Sequence, residues 1–174
     1  MVRFLASLAL AATAIVLSAC YTSSYMLLDT SAGVTPLSDG AYASSIDRKY
    51  LSARSDGSYD MYYVDKNGST TSSSRMWLNR AADLESSSNY VYFYAKEDSG
   101  GWLYGLLVNE GGAIYEVHPD CSDGNVASIA ASEGASLSGD DFTDCRFSDG
   151  ESLRRALRRY YRTAAYLTDP YYRQ

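Results

Sequence analysis

Short alternating runs of apolar and polar residues, separated by tight turns, fill the chain between residues 40 and 117. Alternation with a period of two is typical of half-buried β-strands. Asp56-Gly57 and Asn67-Gly68 are hairpin signals between such runs. The pattern therefore predicts an antiparallel meander with strands over residues 48–54, 58–64, 73–79, 89–96, 102–108 and 113–117.

The turns between the last three strands suggest how their side chains pair. A simple hairpin closed by a loop over 97–101 places Tyr94 opposite Tyr104, and the next turn places Leu106 beside Tyr115. This register gathers an aromatic face and leaves an aliphatic face to pack on a helix or a second sheet. The aromatic face is predicted to contain Tyr90, Tyr92, Tyr94, Trp102, Tyr104 and Tyr115. A slip of one residue would scramble both faces.

The C-terminal segment changes to a helical period. Leu153, Ala156 and Tyr160 recur on one side of a helix, and Ser148 with Glu151 fits a capping box. Five arginines mainly take the other side: Arg154, Arg155, Arg158, Arg159 and Arg162. The predicted fold class is α+β, an antiparallel β meander in a strongly twisted or barrel-like sheet with a C-terminal helix packed against it.

The first twenty residues have the layout of a secretory signal. Arg3 precedes an apolar run over residues 4–17, which is shorter than the about 20 apolar residues that a membrane span needs. Small residues follow, and the stretch ends in Leu17-Ser18-Ala19-Cys20. That tetrapeptide resembles the bacterial lipobox, the signature of lipoproteins.

The resemblance covers the signal region alone. It implies cleavage before Cys20, a lipid such as palmitate on that residue, and an acylated new N-terminus. The alternative is an ordinary signal peptide with a cysteine near the cut. In this family an aspartate after the cysteine often retains the protein in the inner membrane. Tyr21 stands there instead, which favours the outer membrane, facing the periplasm, in a host with two membranes.

The expected cleavage divides the chain into four parts. Residues 1–19 are the signal peptide. Residues 20–39 lack periodicity and are predicted to be a flexible tether. Residues 40–169 form a single globular domain, long enough for a hydrophobic core, and residues 170–174 form a tail.

The cysteines are three: Cys20, Cys121 and Cys145. An odd count in a secreted chain calls for one unpaired or modified thiol. With Cys20 as the anchor, the other two are predicted to form a disulfide, which persists in an oxidising compartment. The alternatives are a reduced pair or a metal site. The single histidine, His118, and the wide cysteine spacing argue against a metal.

The charge is negative and unevenly placed. The chain of 174 residues carries a net charge of −6, which argues against a nucleic-acid partner. Residues 20–145 hold seven lysines and arginines against eighteen acidic residues, whereas residues 146–174 hold seven arginines against three. The arginine face of the last helix balances the acidic domain in one interpretation. In the other it contacts anionic lipid or a protein partner.

No motif identifies a reaction. The sequence lacks a G-x-S-x-G elbow, an H-E-x-x-H pair, a phosphate-binding loop and a C-x-x-C pair. His118 is interpreted as an ordinary residue at a strand end. We therefore predict no catalytic residue, no cofactor and no metal.

The predicted function is a lipid-anchored cell-envelope protein with a non-catalytic binding, assembly or structural role. Its expected partners are the membrane, through the lipid at Cys20, and an envelope protein or glycan. The first alternative is a small-ligand or cell-wall glycan binder that uses the aromatic face. Seventeen tyrosines against four phenylalanines supply rings that carry hydroxyl groups. The second alternative is an enzyme of unknown class.

Overall fold

The computed structural model describes residues 21–65, 67–98, 100–138, 144–163 and 169–174. The predicted signal peptide and Cys20 lie outside these residues. No helix within the described part of the chain is long and apolar enough to cross a membrane.

Eight strands close into an antiparallel barrel, which confirms the predicted α+β class with a barrel-like sheet. They are β2 (Gly40–Ala43), β3 (Arg48–Ala53), β4 (Ser58–Val64), β5 (Thr70–Arg80), β6 (Asn89–Asp98), β7 (Gly101–Glu110), β8 (Ala113–Val117) and β11 (Tyr171–Arg173). Around the barrel the order is β6-β5-β4-β3-β2-β11-β8-β7, and β7 pairs again with β6. The hairpin signals at Asp56-Gly57 and Asn67-Gly68 fall at the β3–β4 and β4–β5 turns, where both glycines have positive φ.

Three short strands branch from the barrel at β7: β1 (Tyr21–Ser23), β9 (Ser136–Ser138) and β10 (Asp144–Arg146). The free edge of β7 is shared, since its first half pairs with β1 and its second half pairs with β8. Strand β10 runs parallel to β1, and β9 pairs with β10. The branch carries the two helices α1 (Gly124–Ser132) and α2 (Gly150–Thr163) against the outside of β6 and β7.

Helix α2 begins one residue later than the predicted cap requires. The carboxylate of Asp149 accepts the backbone N–H groups of Glu151 and Ser152, so Asp149 caps the helix and Ser148 does not. The apolar stripe of α2 is buried as predicted through Leu153, Ala156, Leu157 and Tyr160.

Two hydrophobic cores lie on the two faces of the sheet. The outer core is formed under the helices by Val91, Phe93, Ala95, Tyr104, Leu106 and Val108 of β6 and β7 together with the stripe of α2. The inner core fills the barrel and contains Tyr42, Leu51, Tyr59, Met61, Leu78, Tyr92, Tyr94 and Leu107. Both faces of β6 and β7 are therefore covered.

The predicted register of β6 and β7 is wrong by one residue. Asp98 pairs with Gly101, so the hairpin is tighter than a five-residue loop, and Tyr94 faces Gly105 instead of Tyr104. On the other side of β7, Tyr115 pairs with Val108 and not with Leu106. Because side chains alternate along a strand, the one-residue shift between β6 and β7 separates the six aromatic residues onto opposite faces of the sheet.

The N-terminal segment is part of the fold, which corrects the prediction of a flexible tether over residues 20–39. Tyr21 is 0% exposed in β1, between β7 and β10. Leu28 is buried in the outer core, and Leu37 is buried in the inner core. The described residues of this segment therefore pack on both faces of the sheet.

The same segment closes one end of the barrel. The backbone N–H of Leu37 donates to the hydroxyl of Tyr59 at 2.8 Å, and that hydroxyl lies 2.9 Å from the carbonyl oxygen of Leu37. The N–H of Val34 donates to the carbonyl of Leu78 at 2.9 Å. Tyr59 lies near the start of β4 and Leu78 near the end of β5, so the segment crosses the end of the barrel that these residues share.

Residues 170–174 also need correction, because they do not form a tail. Tyr171 pairs with Ile114 of β8, and Tyr172 pairs with Ala43 of β2. Strand β11 thus joins β2 to β8 and completes the barrel wall.

Cys121 and Cys145 form a disulfide, as predicted, and both are buried in the outer core. The bridge joins the segment before α1 to β10 and closes a loop with a sequence separation of 24. Helix α1 lies within this loop.

Replacing both Cys121 and Cys145 by serine is expected to lower the free energy of unfolding by about 3 kcal/mol, because the unfolded chain regains the entropy of the open loop. Urea unfolding at pH 7 measures the change. The stability of the double variant should not change when reductant is added, and the native protein should approach that stability when its disulfide is reduced. Equal stability of native and double-serine proteins under oxidising conditions would contradict the structural role of the bridge.

Candidate functional site: the mouth of the barrel

The end of the barrel opposite Leu37 has a polar interior. Strands β4 and β8 end there, and β3, β5 and β11 begin there. We call the interior side chains at this end the mouth cluster: Lys49, Tyr63, Tyr94, Lys96, Glu116, His118 and Tyr171. Each contacts at least one other member through a hydrogen bond, an ion pair or an aromatic ring.

Lys49 occupies the centre of the cluster. It alternates inward with Leu51 on β3 and is only 2% exposed. Its ammonium pairs with the carboxylate of Glu116 and lies 3.4 Å from the ring centroid of Tyr171. Burial lowers the pKa of Lys49, and the carboxylate of Glu116 opposes that shift. The carboxylate and the aromatic face together compensate a charge that has left water.

Glu116 links Lys49 to His118. Its second carboxylate oxygen, Oε2, lies 3.5 Å from Nε2 of His118. Burial alone would raise the pKa of Glu116, but the Lys49 ammonium and the imidazole hold it well below its usual range. Glu116 is therefore an anion throughout the neutral range, as the buried ammonium of Lys49 requires.

His118 follows the last residue of β8, so it lies at the strand end where the sequence places it. Its Nδ1 is hydrogen-bonded to the hydroxyl of Tyr94, and the two rings meet edge to face at 5.6 Å. Its side chain is 42% exposed. The polar chain from Lys49 through Glu116 therefore reaches solvent at the imidazole.

Gly105 makes room for this contact. It faces Tyr94 across the β6–β7 pair. A Cβ at position 105 would lie 2.7 Å from the Tyr94 ring and hydroxyl and 2.6 Å from the carbonyl oxygen of Val117. A side chain there would displace Tyr94 from His118.

Tyr63 joins the second lysine to the cluster. The ammonium of Lys96 lies 3.4 Å from the Tyr63 hydroxyl and 5.5 Å from its ring centroid. Burial and the carboxylates of Glu116 and Asp47 raise the pKa of Tyr63, so its phenol stays protonated. Both lysines thus approach one neutral aromatic ring, because Lys49 lies 5.8 Å from the same centroid.

An open cavity of about 840 Å³ lies at this end of the barrel. Its lining includes Ser44, Asp47, Tyr63, Val64, Thr71 and Ser72. Tyr63 belongs to both the cavity and the cluster. Asp47 connects them again, since its carboxylate accepts the hydroxyl of Tyr171 at 2.9 Å. The volume lies within the range of about 300–1,000 Å³ that is usual for small-ligand sites.

The six predicted aromatic residues do not form one groove. Tyr92 and Tyr94 are buried inside the barrel, whereas Tyr104 is buried in the outer core. Trp102 and Tyr115 pack at the edge of the outer core, and Tyr90 is exposed beside Arg80. Tyr94 alone belongs to the mouth cluster, so the predicted aromatic surface is not assembled.

The predicted arginine face of α2 is largely paired within the chain. Arg158 and Arg162 lie 2.8 and 3.7 Å from the carboxylate of Asp83. Ion pairs of 2.9 and 3.8 Å join Glu133 to Arg155 and Arg159. Arg154 has no ion pair within the described residues. These contacts favour the interpretation that the basic helix balances the acidic domain, and contact with lipid or a partner stays a prediction.

Among the described residues, no group of three or more His, Cys, Asp or Glu side chains is placed to hold a metal ion. The mouth cluster presents two ammonium groups and several phenols around one carboxylate. These groups suit organic ligands and anions.

The chain has no significant match to a protein-family model, to a curated protein or to a solved structure.

Five members of the mouth cluster are not predicted from the sequence: Lys49, Tyr63, Lys96, Glu116 and Tyr171. A signal for the charged ones is present, because Lys49 alternates with Leu51 and Glu116 alternates with Ile114 on strands with apolar inward positions. A charged residue at such a position indicates either a bulge or a polar interior.

Proposed function

We propose that the protein is a lipid-anchored protein of the cell envelope that binds a small ligand in the mouth of its barrel without transforming it. The anchor rests on the lipobox resemblance at Cys20. The binding role rests on one observation, an open cavity of about 840 Å³ with a lining residue, Tyr63, that belongs to a cluster with buried charges.

The architecture supports a ligand site at this end. An eight-stranded barrel has room for packed side chains or for one small ligand, and barrel mouths are frequent binding sites. Leu37 and Tyr59 seal the other end with apolar packing and hydrogen bonds. A purely structural barrel gains nothing from burying an ammonium and a carboxylate, because well-packed apolar residues are as stable or more stable.

The contacts of His118 support binding over catalysis. The imidazole contacts the phenol of Tyr94 and the carboxylate of Glu116. Within the described residues, no serine or cysteine is hydrogen-bonded to it, so the nucleophile and base of a hydrolase are not together. A glycan site on the aromatic sheet face loses its support, since the register separates those residues.

Ser72→Trp is expected to block the mouth, because Ser72 lines the cavity. Ser73→Trp is the matched control, because Ser73 is the neighbour of Ser72 in the same strand and faces outward, opposite Tyr62. The full chain in detergent is heated with fractions of small molecules extracted from host envelopes. At least one fraction should raise the Tm of the native and Ser73→Trp proteins but not that of Ser72→Trp.

The stabilisation should grow with the ligand concentration and reach about 2.7 kcal/mol at a hundredfold excess over Kd. If no fraction stabilises the native protein, or if Ser72→Trp is stabilised equally, the mouth is not the binding site.

A further inference from the structure

We infer that the mouth recognises its ligand through a negatively charged oxygen group, a carboxylate or a phosphate, that binds Lys96 and Tyr63. This inference rests on the proposed binding function of the mouth and names the chemistry of the ligand. Three observations on the described part of the chain carry it: an ammonium with no ion-pair carboxylate there, a phenol whose proton has no acceptor there, and a buried hydroxyl with no hydrogen-bond partner there.

The ammonium belongs to Lys96. An ammonium has three N–H donors, and among the described residues the one hydrogen bond of Lys96 is to the Tyr63 hydroxyl at the long distance of 3.4 Å. No carboxylate of the described residues lies within 4.0 Å of its Nζ, whereas Lys49 has Glu116. Two ammonium groups thus lie within 6 Å of the Tyr63 ring, and among the described residues only that of Lys49 has an ion-pair carboxylate.

The phenol is that of Tyr63. Its oxygen faces Lys96, and within the described part of the chain its proton has no acceptor. Tyr63 lines the open cavity, and Lys96 contacts its hydroxyl. The cavity wall holds two carboxylates: Asp47 accepts hydroxyl groups from Tyr171 and Ser44, and Asp65 accepts the backbone N–H groups of Asn67 and Ser69.

The buried hydroxyl is that of Ser74. Its Oγ is shielded from solvent and has no hydrogen-bond partner among the described residues. Ser74 lies two residues beyond Ser72 of the cavity wall, on the same face of β5, and pairs with Met61. Unpaired buried polar groups are uncommon in folded proteins.

These donors need acceptors, and Lys96 also needs a negative charge. A neutral sugar hydroxyl would satisfy the hydrogen bonds but would leave the ammonium uncompensated. A carboxylate or phosphate does both, because charge-assisted hydrogen bonds are about twice as strong as neutral ones.

The test titrates the full chain in detergent with sodium phosphate and with sodium acetate. The ionic strength is held constant with sodium chloride, and the side-chain amine signals of isotopically labelled lysines are followed by NMR. The signal lost in Lys96→Gln identifies Lys96. We expect that signal to shift saturably with phosphate or with acetate, and the anion with the lower Kd assigns the ligand group. Chloride alone should leave it unchanged.

Matched variants locate the binding. Lys96→Gln should raise the Kd of the probe anion at least tenfold. Arg75→Gln removes one positive charge from the outer face of β5 and should change it less than twofold. No saturable shift, or equal weakening by both variants, would overturn the inference.

The two proposals can fail separately. If an envelope fraction stabilises the native protein but not Ser72→Trp, and stabilises Lys96→Gln as well as native protein, the mouth binds a ligand that is not held by its charge. If Ser72→Trp retains stabilisation by the fraction, the mouth itself is not the site.

Discussion

Glu116→Gln is expected to lower the free energy of unfolding by about 3–5 kcal/mol at pH 7. The substitution keeps the size of the side chain but removes the negative charge that pairs with Lys49. That lysine is almost fully buried, so its ammonium would remain without compensation inside the barrel. Removing one partner of a buried ion pair costs far more than the intact pair contributes.

The pH dependence separates this mechanism from a packing defect. In Glu116→Gln the folded state holds Lys49 at a pKa further below the ordinary 10.5. Between the folded and unfolded pKa values the unfolded chain binds more protons, so the stability of the variant should rise with pH. The difference in the free energy of unfolding between the variant and the native protein should therefore become smaller in alkaline buffer.

The acid side has its own signature. The pKa of Glu116 is lower in the folded protein than the ordinary 4.5. In the native protein its contribution to stability is present above that unfolded value and is lost as the pH falls toward the folded one. The Glu116→Gln variant does not lose this contribution, so the free energies of unfolding of the two proteins should approach each other in acid.

Two further variants complete the comparison. Glu151 forms an ion pair with Arg155 but is 82% exposed, so Glu151→Gln should change stability by less than about 0.5 kcal/mol. Lys49→Met combined with Glu116→Gln removes both charges and should recover most of the loss. A single Glu116→Gln variant as stable as the native protein at pH 7 would contradict the buried pair.

Tyr21→Ala is the second large effect, an expected loss of about 3–5 kcal/mol in the free energy of unfolding. Tyr21 lies in β1 at the branch of the sheet, with its ring 5.0 Å from that of Phe147. Its hydroxyl donates to the carbonyl of Val126 in α1 at 3.4 Å. Alanine would leave a cavity between the barrel and the helix layer.

Tyr90→Ala provides the control, because Tyr90 is 54% exposed on β6. Its loss should cost less than about 1 kcal/mol. Urea unfolding of both variants measures the difference. If Tyr21→Ala were as mild as Tyr90→Ala, residues 20–39 would be the flexible tether that the sequence suggests.

The place of Tyr21 also bears on the proposed anchor. Cys20 is the preceding residue, so a lipid on Cys20 would be attached next to a buried strand residue with no flexible spacer. Under the proposed function, the barrel would be held directly at the bilayer surface.

The long strands of the barrel could be predicted from the sequence because they show alternation and because the β3–β4, β4–β5, β6–β7 and β7–β8 turns contain glycine. The register could not, because it depends on the length of one turn. Extending β6 to Asp98 and starting β7 at Gly101 moves Tyr94 from Tyr104 to Gly105. A one-residue shift in the pairing of β6 with β7 turns every side chain of one strand to the other face of the sheet relative to its partner.

The short strands left no pattern to detect. Strands β1, β9, β10 and β11 have three residues each, which is too few for a period of two to be recognised. Their neighbours in space are distant in sequence, as with Tyr21 and Cys145. The mouth cluster was missed for a related reason, since Lys49 and Glu116 are far apart along the chain and meet only when the barrel closes.

The native mass spectrum of the protein extracted from host membranes in detergent tests the lipid anchor and the ligand site in one measurement. We predict a chain that begins at Cys20 and carries a diacylglyceryl group and acyl chains. We also predict a non-covalent small-molecule adduct that is absent from Ser72→Trp and present in Ser73→Trp. An unlipidated chain would contradict the membrane anchor. A chain with no adduct, or with one that Ser72→Trp retains, would contradict the ligand site in the mouth.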